Sequence, residues 1–458
     1  MGETHISVPE NNNWLGSIMS VERTEAMSQQ QGPRIPRVPQ IFSGIGSNKK
    51  CYEPKVVSIG PYYHGKLDRL QEMEKSKCNM VRGFVQQSKK LIEDVYQTVV
   101  DVAEDARRYY VEDESVKLDD MTEFTRMMFL DGCFVIQFMY CLLRDHENLK
   151  MSSHAAALVT RDLLLLENQL PFLVLRSLMK LRFGSDEEGM KLIKDFIKHI
   201  RAMPRQRESC WKKISKFFRK TIPRRALNYS AKDPAMGEYY GAGHLLELFH
   251  MHFVDKNFSV DSSKTSLYRY HPAMELRTVG IHFKPSKARQ FTDVQFKPTW
   301  LAGRLKIPPL TIDESTKSML LNLVAYEACL GDNKKLWVTS YICFMDSLID
   351  HPEDVRVLRS QGILLVTLGS EEEVARLFNE VAKYLVPNPH AFNKVKNDIE
   401  SHFRNTIKRW VAEHVDTYFS SPWSFITLVA ASLTIALTAI QSYFTLFPLN
   451  NNGDCGKY

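Results

Sequence analysis

Cysteine is sparse in this sequence and is never paired in a local motif. The 458 residues include eight cysteines, with no C-x-x-C and no histidine at zinc-finger spacing. This argues against a structural zinc site and a small disulfide scaffold. Disulfides become an alternative only if the domain faces an oxidising compartment. We expect buried, reduced thiols in the apolar, helix-like stretches, namely at Cys133, Cys141, Cys329 and Cys343.

The sequence also lacks the short motifs of the common enzyme classes. It contains no G-x-x-x-x-G-K-[ST] phosphate loop, no H-E-x-x-H and no G-x-S-x-G. Gly241-Ala-Gly243 has no third glycine for a dinucleotide-binding turn. His250 and His252 are two residues apart, so on a helix their side chains point in different directions. The motifs therefore predict no catalytic, cofactor-binding or metal-binding residue, and no bound cofactor.

One enzymatic alternative stays open at this point, a site assembled only in three dimensions. Its acid–base groups would come from positions far apart in the chain, namely Asp131, Glu167, His244 and Glu327. A pocket lined by two or more of them with shifted pKa values would favour it. Dispersal of these groups over the surface or the core would count against it.

A strong net charge is missing too. The sequence has 60 Lys and Arg against 53 Asp and Glu, so a globally basic nucleic-acid-binding protein is not expected. Segment 201–225 alone holds ten basic residues and one acid, Glu208. Its apolar and basic side chains fall on opposite helical faces. Such a helix suits an anionic membrane surface or a calmodulin-like partner. The alternative is that the apolar face packs on the core and the charges are solvated. The candidate residues are Trp211, Lys212, Lys213, Lys216, Phe217, Arg219 and Lys220.

Charge is absent from a long stretch near the C-terminus. No charged residue occurs between Asp416 and Asp454, and the stretch 423–447 is long enough to cross a hydrocarbon core of about 30 Å. Since aromatic residues stand at both ends, we predict one transmembrane helix followed by a short tail at 448–458. The alternative is a buried core helix. The span residues singled out are Trp423, Phe425, Leu428, Leu433, Leu437 and Tyr443.

The two ends of the chain also predict its orientation. Residues 1–33 are polar, without the apolar run of a secretory signal, and are interpreted as a disordered leader. Arg404, Lys408 and Arg409 precede the predicted span, and only Lys457 follows it. By the positive-inside rule, the bulk of the chain lies in the cytosol. The expected partners are the lipid bilayer and an unidentified protein, with no nucleic acid.

The spacing of apolar residues predicts a mainly α fold for residues 34–420. Apolar residues recur at three- and four-residue intervals from about Leu70 onward. Between 277 and 312 they alternate instead, which predicts two or three short strands in a small antiparallel insert. Further helices are predicted at 120–143, 155–180, 189–201, 211–220, 243–254, 313–329, 337–348, 371–385 and 392–418.

Several ordered blocks resemble a known family. Tyr52-Glu-Pro-Lys-Val-Val-Ser-Ile-Gly-Pro-Tyr-Tyr-His-Gly65 and Arg161-Asp-Leu-Leu-Leu-Leu-Glu-Asn-Gln-Leu-Pro171 are similar to signatures of the plant "domain of unknown function 247" family. Further similar blocks are Arg37-Val-Pro39, Met73-Glu-Lys75, Asp131-Gly-Cys-Phe134, Glu275-Leu-Arg277, Gly280-Ile-His-Phe-Lys284, Ile307-Pro-Pro-Leu310, Asn322-Leu-Val-Ala-Tyr-Glu327, Tyr341 to Leu348 and Pro422-Trp423. Tyr63 departs from the pattern, where the family has histidine.

This resemblance implies a plant membrane protein with a C-terminal span and no established enzymatic activity or cofactor. It also implies, for some grass members, a part in self-incompatibility on the pollen side. The sequence thus favours a membrane-anchored, non-enzymatic recognition or signalling protein that binds a protein partner. Asp162, Glu167, Asn168 and Gln169 lie among leucines, so we interpret them as a buried polar network that fixes the fold.

Overall fold

The computed structural model describes residues 34–45, 48–111, 120–201, 236–254, 271–288, 290–299, 302–332, 335–367, 369–404 and 422–446. The predicted leader 1–33, the basic segment 202–225 with its candidate helix, and the tail 448–458 lie outside these residues.

The first half of the chain is helical, as the apolar spacing predicts. Helix α5 is apolar on nearly all sides and packs against four other helices, α3, α4, α7 and α8. It begins at Met121 because the Asp120 carboxylate accepts hydrogen bonds from the first free backbone N–H groups. The helices here are α1 (Gln40–Ser43), α2 (Lys49–Tyr52), α3 (Gln71–Ser88), α4 (Ile92–Arg107), α5 (Met121–Arg144), α6 (Ser153–Asp162), α7 (Phe172–Phe183) and α8 (Asp186–Ile200).

The single helix predicted at 155–180 is wrong, because the chain breaks it into α6 and α7. Pro171 directly precedes α7, and a proline has no N–H with which to continue a helix from the preceding turn. In the break, the Gln169 amide donates to the backbone oxygens of Leu163 and Leu165. Side-chain hydrogen bonds therefore replace the helical ladder across this buried turn.

The second half carries shorter helices around the strands. Helix α14 has no counterpart in the sequence prediction, since its apolar pattern covers little more than two turns. Asp354 fixes its start by accepting hydrogen bonds from the backbone N–H groups of Asp350 and His351. The helices are α9 (Met236–Tyr240), α10 (Leu245–Met251), α11 (Ala273–Thr278), α12 (Thr316–Cys329), α13 (Trp337–Leu348), α14 (Pro352–Ser360), α15 (Glu371–Ala382), α16 (Asn393–Arg404) and α17 (Pro422–Leu446).

The strands do not form the predicted antiparallel insert. Strand β3 lies between β1 and β2, parallel to β1 and antiparallel to β2, and β4 pairs in parallel with the distant β5. Gly303 helps β3 to enter this position, because a Cβ there would lie 2.6 Å from the Phe296 ring. The strands are β1 (Ile281–Pro285), β2 (Gln295–Pro298), β3 (Gly303–Ile307), β4 (Leu310–Ile312) and β5 (Leu364–Val366).

Candidate functional site

The motif around Arg161 binds a segment that precedes it by about a hundred residues. We call residues 50–63 the N-terminal strap. One carboxylate oxygen of Asp162 accepts hydrogen bonds from the backbone N–H groups of Lys55, Val56 and Val57 at 2.8 to 3.2 Å. Burial raises the pKa of Asp162, while these N–H groups and Arg161 act in the opposite direction. Asp162 therefore holds the strap to the end of α6.

Arg161 completes this contact from the other side. Its guanidinium donates to the backbone oxygens of Lys50, Cys51 and Glu53 at 3.0 to 3.2 Å, and to Asp162 at 2.6 Å. The side chain is 6% exposed. Its planar group thus donates to three backbone carbonyl groups and one carboxylate at the same time.

Asn168 binds the middle of the strap in the same manner. Its amide donates to the backbone oxygens of Val57 and Asp162, and its oxygen accepts from the backbone N–H of Ile59. Asn322 of α12 donates to the backbone oxygen of Cys51 and accepts from the N–H of Leu166. The predicted buried polar network is confirmed, and it is directed at main-chain groups.

Lys77 is a fully buried cation that the sequence analysis did not identify. Its ammonium lies 2.6 Å from an Asp131 oxygen and 2.6 Å from the backbone oxygen of Ser58. The other Asp131 oxygen accepts from the N–H of Gly60. Burial lowers the pKa of Lys77, but Asp131 and Glu74 outweigh this effect and hold the pKa above its ordinary value. No sequence signal separates Lys77 from the solvated lysines around it.

Glu167 contacts the chain before the strap and also the last residue of the strap. Its carboxylate accepts a hydrogen bond from the N–H of Val38 at 2.8 Å and from the Tyr63 hydroxyl at 3.2 Å. Burial raises the pKa of Tyr63, and Glu167 adds to this effect. The tyrosine that departs from the family pattern therefore has a defined role, since it donates to this carboxylate.

Glu327 and His250 form a second buried polar group. Glu327 accepts hydrogen bonds from the N–H groups of Val338 and Thr339 at the start of α13, and lies 2.8 Å from His250 Nε2. His244 accepts from the N–H of Glu247 at the start of α10, and burial lowers its pKa to about 3. Glu327 and His244 thus each satisfy free N–H groups at the start of a helix.

The four acid–base candidates are therefore dispersed. Asp131 and Glu167 bind the C-terminal part of the strap at Gly60 and Tyr63, while Glu327 and His244 cap different helices. A cavity of about 660 Å³ lies between α5, α6, α8 and α12, and none of the four lines it. In the described part of the chain, no three His, Cys, Asp or Glu side chains are placed to hold a metal ion. This arrangement favours structural roles for the four side chains.

Cys329 and Cys343 are not activated as nucleophiles. Cys133 and Cys141 are buried as predicted, while Cys329 and Cys343 are half-buried. Burial raises the pKa of Cys329 to about 11 and that of Cys343 to about 12. These thiols are protonated at neutral pH, and the thiol is a much weaker nucleophile than the thiolate.

Two apolar helices differ sharply in their surroundings. Helix α5 is long and apolar enough to cross a membrane by length and composition, yet 72% of its apolar window is buried in the domain. In α17, the apolar stretch Val429–Tyr443 is shorter, and its side chains are exposed. Trp423, Leu433 and Leu437 are 59 to 77% exposed. The helix includes Phe425 and Leu428, whose side chains lie outside the described part.

One family model matches most of this chain. The model of a plant protein family of unknown function, DUF247, matches residues 35–437. The chain belongs to this family. The DUF247 match includes the strap, the strands and the first part of α17, so the resemblance inferred from the sequence blocks is confirmed.

Two relatives of this chain come from Arabidopsis thaliana. UPF0481 protein At3g47200 is 28% identical over 431 residues, which cover 91% of this chain and 87% of that protein. Putative UPF0481 protein At3g02645 is 30% identical over 174 residues, or 38% of this chain and 32% of that protein. No solved structure matches the chain with significance. These similarities establish a plant family, and its name assigns no activity.

Proposed function

We propose that this DUF247 protein is a single-pass membrane protein, anchored by α17, whose helical domain binds a protein partner. The observation that carries the anchor is the exposure of α17. Its 25 residues include no charged side chain, and every described side chain in it is exposed. An apolar helix whose described side chains are all exposed is unfavourable in water, whereas a lipid bilayer supplies apolar surroundings.

The dimensions of α17 support the same proposal. A helix of 25 residues is about 37 Å long, which exceeds a hydrocarbon core of about 30 Å. Trp423 and Tyr443 stand near its two ends, where the amphipathic rings suit the membrane–water interfaces. The hydroxyls of Thr427, Thr434 and Thr438 donate to backbone oxygens four residues earlier. Their polar groups therefore need no water inside lipid.

The anchor is tested with charges placed on α17. In the double variant Leu433→Arg and Leu437→Arg, each arginine adds about 3 kcal/mol to the cost of insertion. The native full-length protein should stay in the membrane pellet after alkaline carbonate extraction, and the variant should be released. The matched control carries Leu91→Arg and Val386→Arg, at exposed apolar positions outside α17, and should behave as native. Release of the native protein would contradict the proposal.

Binding of a protein partner is proposed for the helical domain. Supporting it, three aliphatic side chains at the start and in the middle of α4 are exposed, namely Leu91, Ile92 and Val100, at 39 to 68%. The acid–base candidates offer no convergent site, which supports a non-enzymatic role. Pollen self-recognition, which the family resemblance implies for some grass members, is the proposed setting.

This partner surface has its own test. Leu91→Glu with Val100→Glu should remove one specific protein from the set that chemical cross-linking joins to the native protein in pollen membranes. Val386→Glu, a matched exposed position elsewhere, should leave that protein cross-linked. An identical cross-linked set for all three proteins would contradict the surface, and turnover of any substrate by the full-length protein would contradict the non-enzymatic role.

A further inference from the structure

The outer face of the three-stranded sheet carries a regular array of basic side chains. We call it the cationic sheet face. The strand registers place His282, Arg304 and Lys297 in one row across the sheet, and Lys284, Lys306 and Gln295 in the next. Lys306 is half-exposed and the other five are exposed. The alternate residues on the same strands, such as Phe283, Leu305 and Phe296, are buried on the inner face.

These cations have no counterions among the described residues. No described carboxylate forms an ion pair with Lys284, Lys297, Arg304 or Lys306. Asp293 is the one acid in the sequence from Ile281 to Ile307. Its carboxylate accepts hydrogen bonds from the Ser286 hydroxyl and the Gln295 amide, and a single acid cannot compensate the charge of four cations.

The stability of the sheet does not explain this array. Lys284 is directly opposite Lys306, and Arg304 is opposite Lys297. Like charges directly opposite each other destabilise a sheet. The inner face alone supplies the packing that holds the strands to the domain. The outer charges are therefore available to an anionic ligand.

The position of the sheet connects it to the membrane helix. Strand β2 packs against α16, where the His402 ring lies edge-on to Phe296 and its Nε2 lies 3.2 Å from the backbone oxygen of Val279. Helix α16 ends at Arg404, and only residues 405–421 separate it from α17. The 17 residues of this connection can span at most about 60 Å, which limits how far the sheet can lie from the surface that receives α17.

We propose that the cationic sheet face binds the anionic headgroups of the same membrane in which α17 is inserted. The inference rests on the proposed anchor. Lysine and arginine near an anionic leaflet are attracted to it, and several together hold a domain against the surface. The outward positions contain no Phe, Tyr or Trp on which a nucleic-acid base could stack. Lipid is therefore favoured over single-stranded nucleic acid, and the tether favours it over a soluble acidic protein.

The first experiment measures the accessibility of lysines in the native full-length protein. The protein is reconstituted in vesicles of phosphatidylcholine, with or without phosphatidylserine, and its lysines are acylated for increasing times. We expect acylation of Lys284 and Lys297 to slow about fivefold in the anionic vesicles at low salt. The effect should disappear at high salt, because the attraction is screened. Lys75 and Lys191, exposed on helices, and Lys90, exposed in the loop before α4, should react equally in all vesicles.

A second experiment uses substitution. A phosphatidylserine with a photoactivatable headgroup should cross-link to residues 281–307 of the native protein. The triple variant Lys284→Gln, Lys297→Gln and Lys306→Gln should lose most of this product. The matched variant Lys75→Gln, Lys90→Gln and Lys191→Gln should keep it. Cross-links that fall elsewhere, or that survive the first triple variant, would overturn the proposal.

The same samples separate failure of the anchor from failure of the sheet contact. If α17 is not an anchor, the protein leaves both kinds of vesicle on alkaline extraction. If the anchor holds but the sheet does not bind lipid, the protein stays in the vesicles and Lys284 reacts equally in both. Protection of Lys284 and Lys297 on neutral vesicles by added polyglutamate or an oligonucleotide, without protection by phosphatidylserine, would assign the face to that class of ligand instead.

Discussion

Arg161 shows at the scale of one residue why the family-like motif is structural. Its guanidinium reaches three backbone oxygens of the strap and the Asp162 carboxylate together. A single ammonium group cannot reproduce that planar fork of donors. The contacts therefore depend on arginine itself, and positive charge alone is insufficient.

Arg161→Lys is expected to destabilise the protein by about 2–4 kcal/mol, because buried carbonyl groups lose their donors. Thermal unfolding of the full-length protein in detergent measures this as a lower Tm. Arg108→Lys is the matched control, since the Arg108 side chain is 71% exposed and its change should leave the Tm nearly constant. Equal Tm values for both variants would show that the strap contacts contribute little.

Asp346 gives a prediction for pH dependence. Burial, with a smaller effect of Asp350, raises its pKa from 3.8 to about 6. A carboxyl group whose pKa is higher in the folded state binds its proton more tightly there. Its ionisation therefore disfavours the folded state as the pH rises from below 3.8 to above about 6.

Asp346→Asn removes this ionisation. The Tm of the variant relative to the native protein should rise by a few degrees between about pH 4 and pH 7, because only the native protein acquires the buried charge. The effect is reduced by the partial exposure of the side chain. Asp105→Asn, at a 71% exposed side chain, is the control. A Tm difference for Asp346→Asn that stays constant or falls with pH contradicts the assignment.

The close contact between α7 and α8 depends, at the scale of elements, on one glycine. A Cβ on Gly189 of α8 would lie 2.7 Å from the Met179 Cβ, an atom fixed to the backbone of α7. Gly189→Ala should therefore separate the two helices and lower the Tm, at a cost of about 1–3 kcal/mol. Gly237→Ala in α9 is the control, because a Cβ there meets nothing within 4 Å and alanine favours helix. A higher Tm for both variants would contradict the predicted contact.

The helices and strands also show which features of the fold are predictable from the sequence. Local spacing was enough to predict α5 and the alternation in β1, β2 and β3, because those signals lie within each segment. The parallel pairing of β1 with β3 depends on contacts between segments, so no local pattern encodes it. The break between α6 and α7 was missed because the apolar run continues through it, although Pro171 and the polar residues before it carried the signal.

The candidate sites show the same difference between local signals and contacts between distant segments. The buried network was predictable from Asp162, Asn168 and Gln169 standing among leucines, since polar groups in such surroundings need partners. The burial of Lys77 was not predictable, because its partner Asp131 is on another helix. The cationic sheet face needs the strand registers, which bring Lys284 and Lys306 opposite each other from distant positions in the chain.

At the scale of the whole molecule, the domain and α17 have opposite relations to their surroundings. The domain buries its apolar side chains in one continuous core, whereas every described side chain of α17 is exposed. The proposed anchor resolves this difference, since lipid is the solvent that an uncharged helix requires. The cationic sheet face would then orient the domain on the leaflet.

The most direct test of the anchor is photolabelling of the full-length protein in membranes with a carbene reagent confined to the lipid core. Two helices compete for the label by composition, α5 and α17. The account predicts label within Pro422–Leu446 and none within Met121–Arg144, because the apolar window of α5 is largely buried in the domain. Label in α5, or none in α17, would contradict the account.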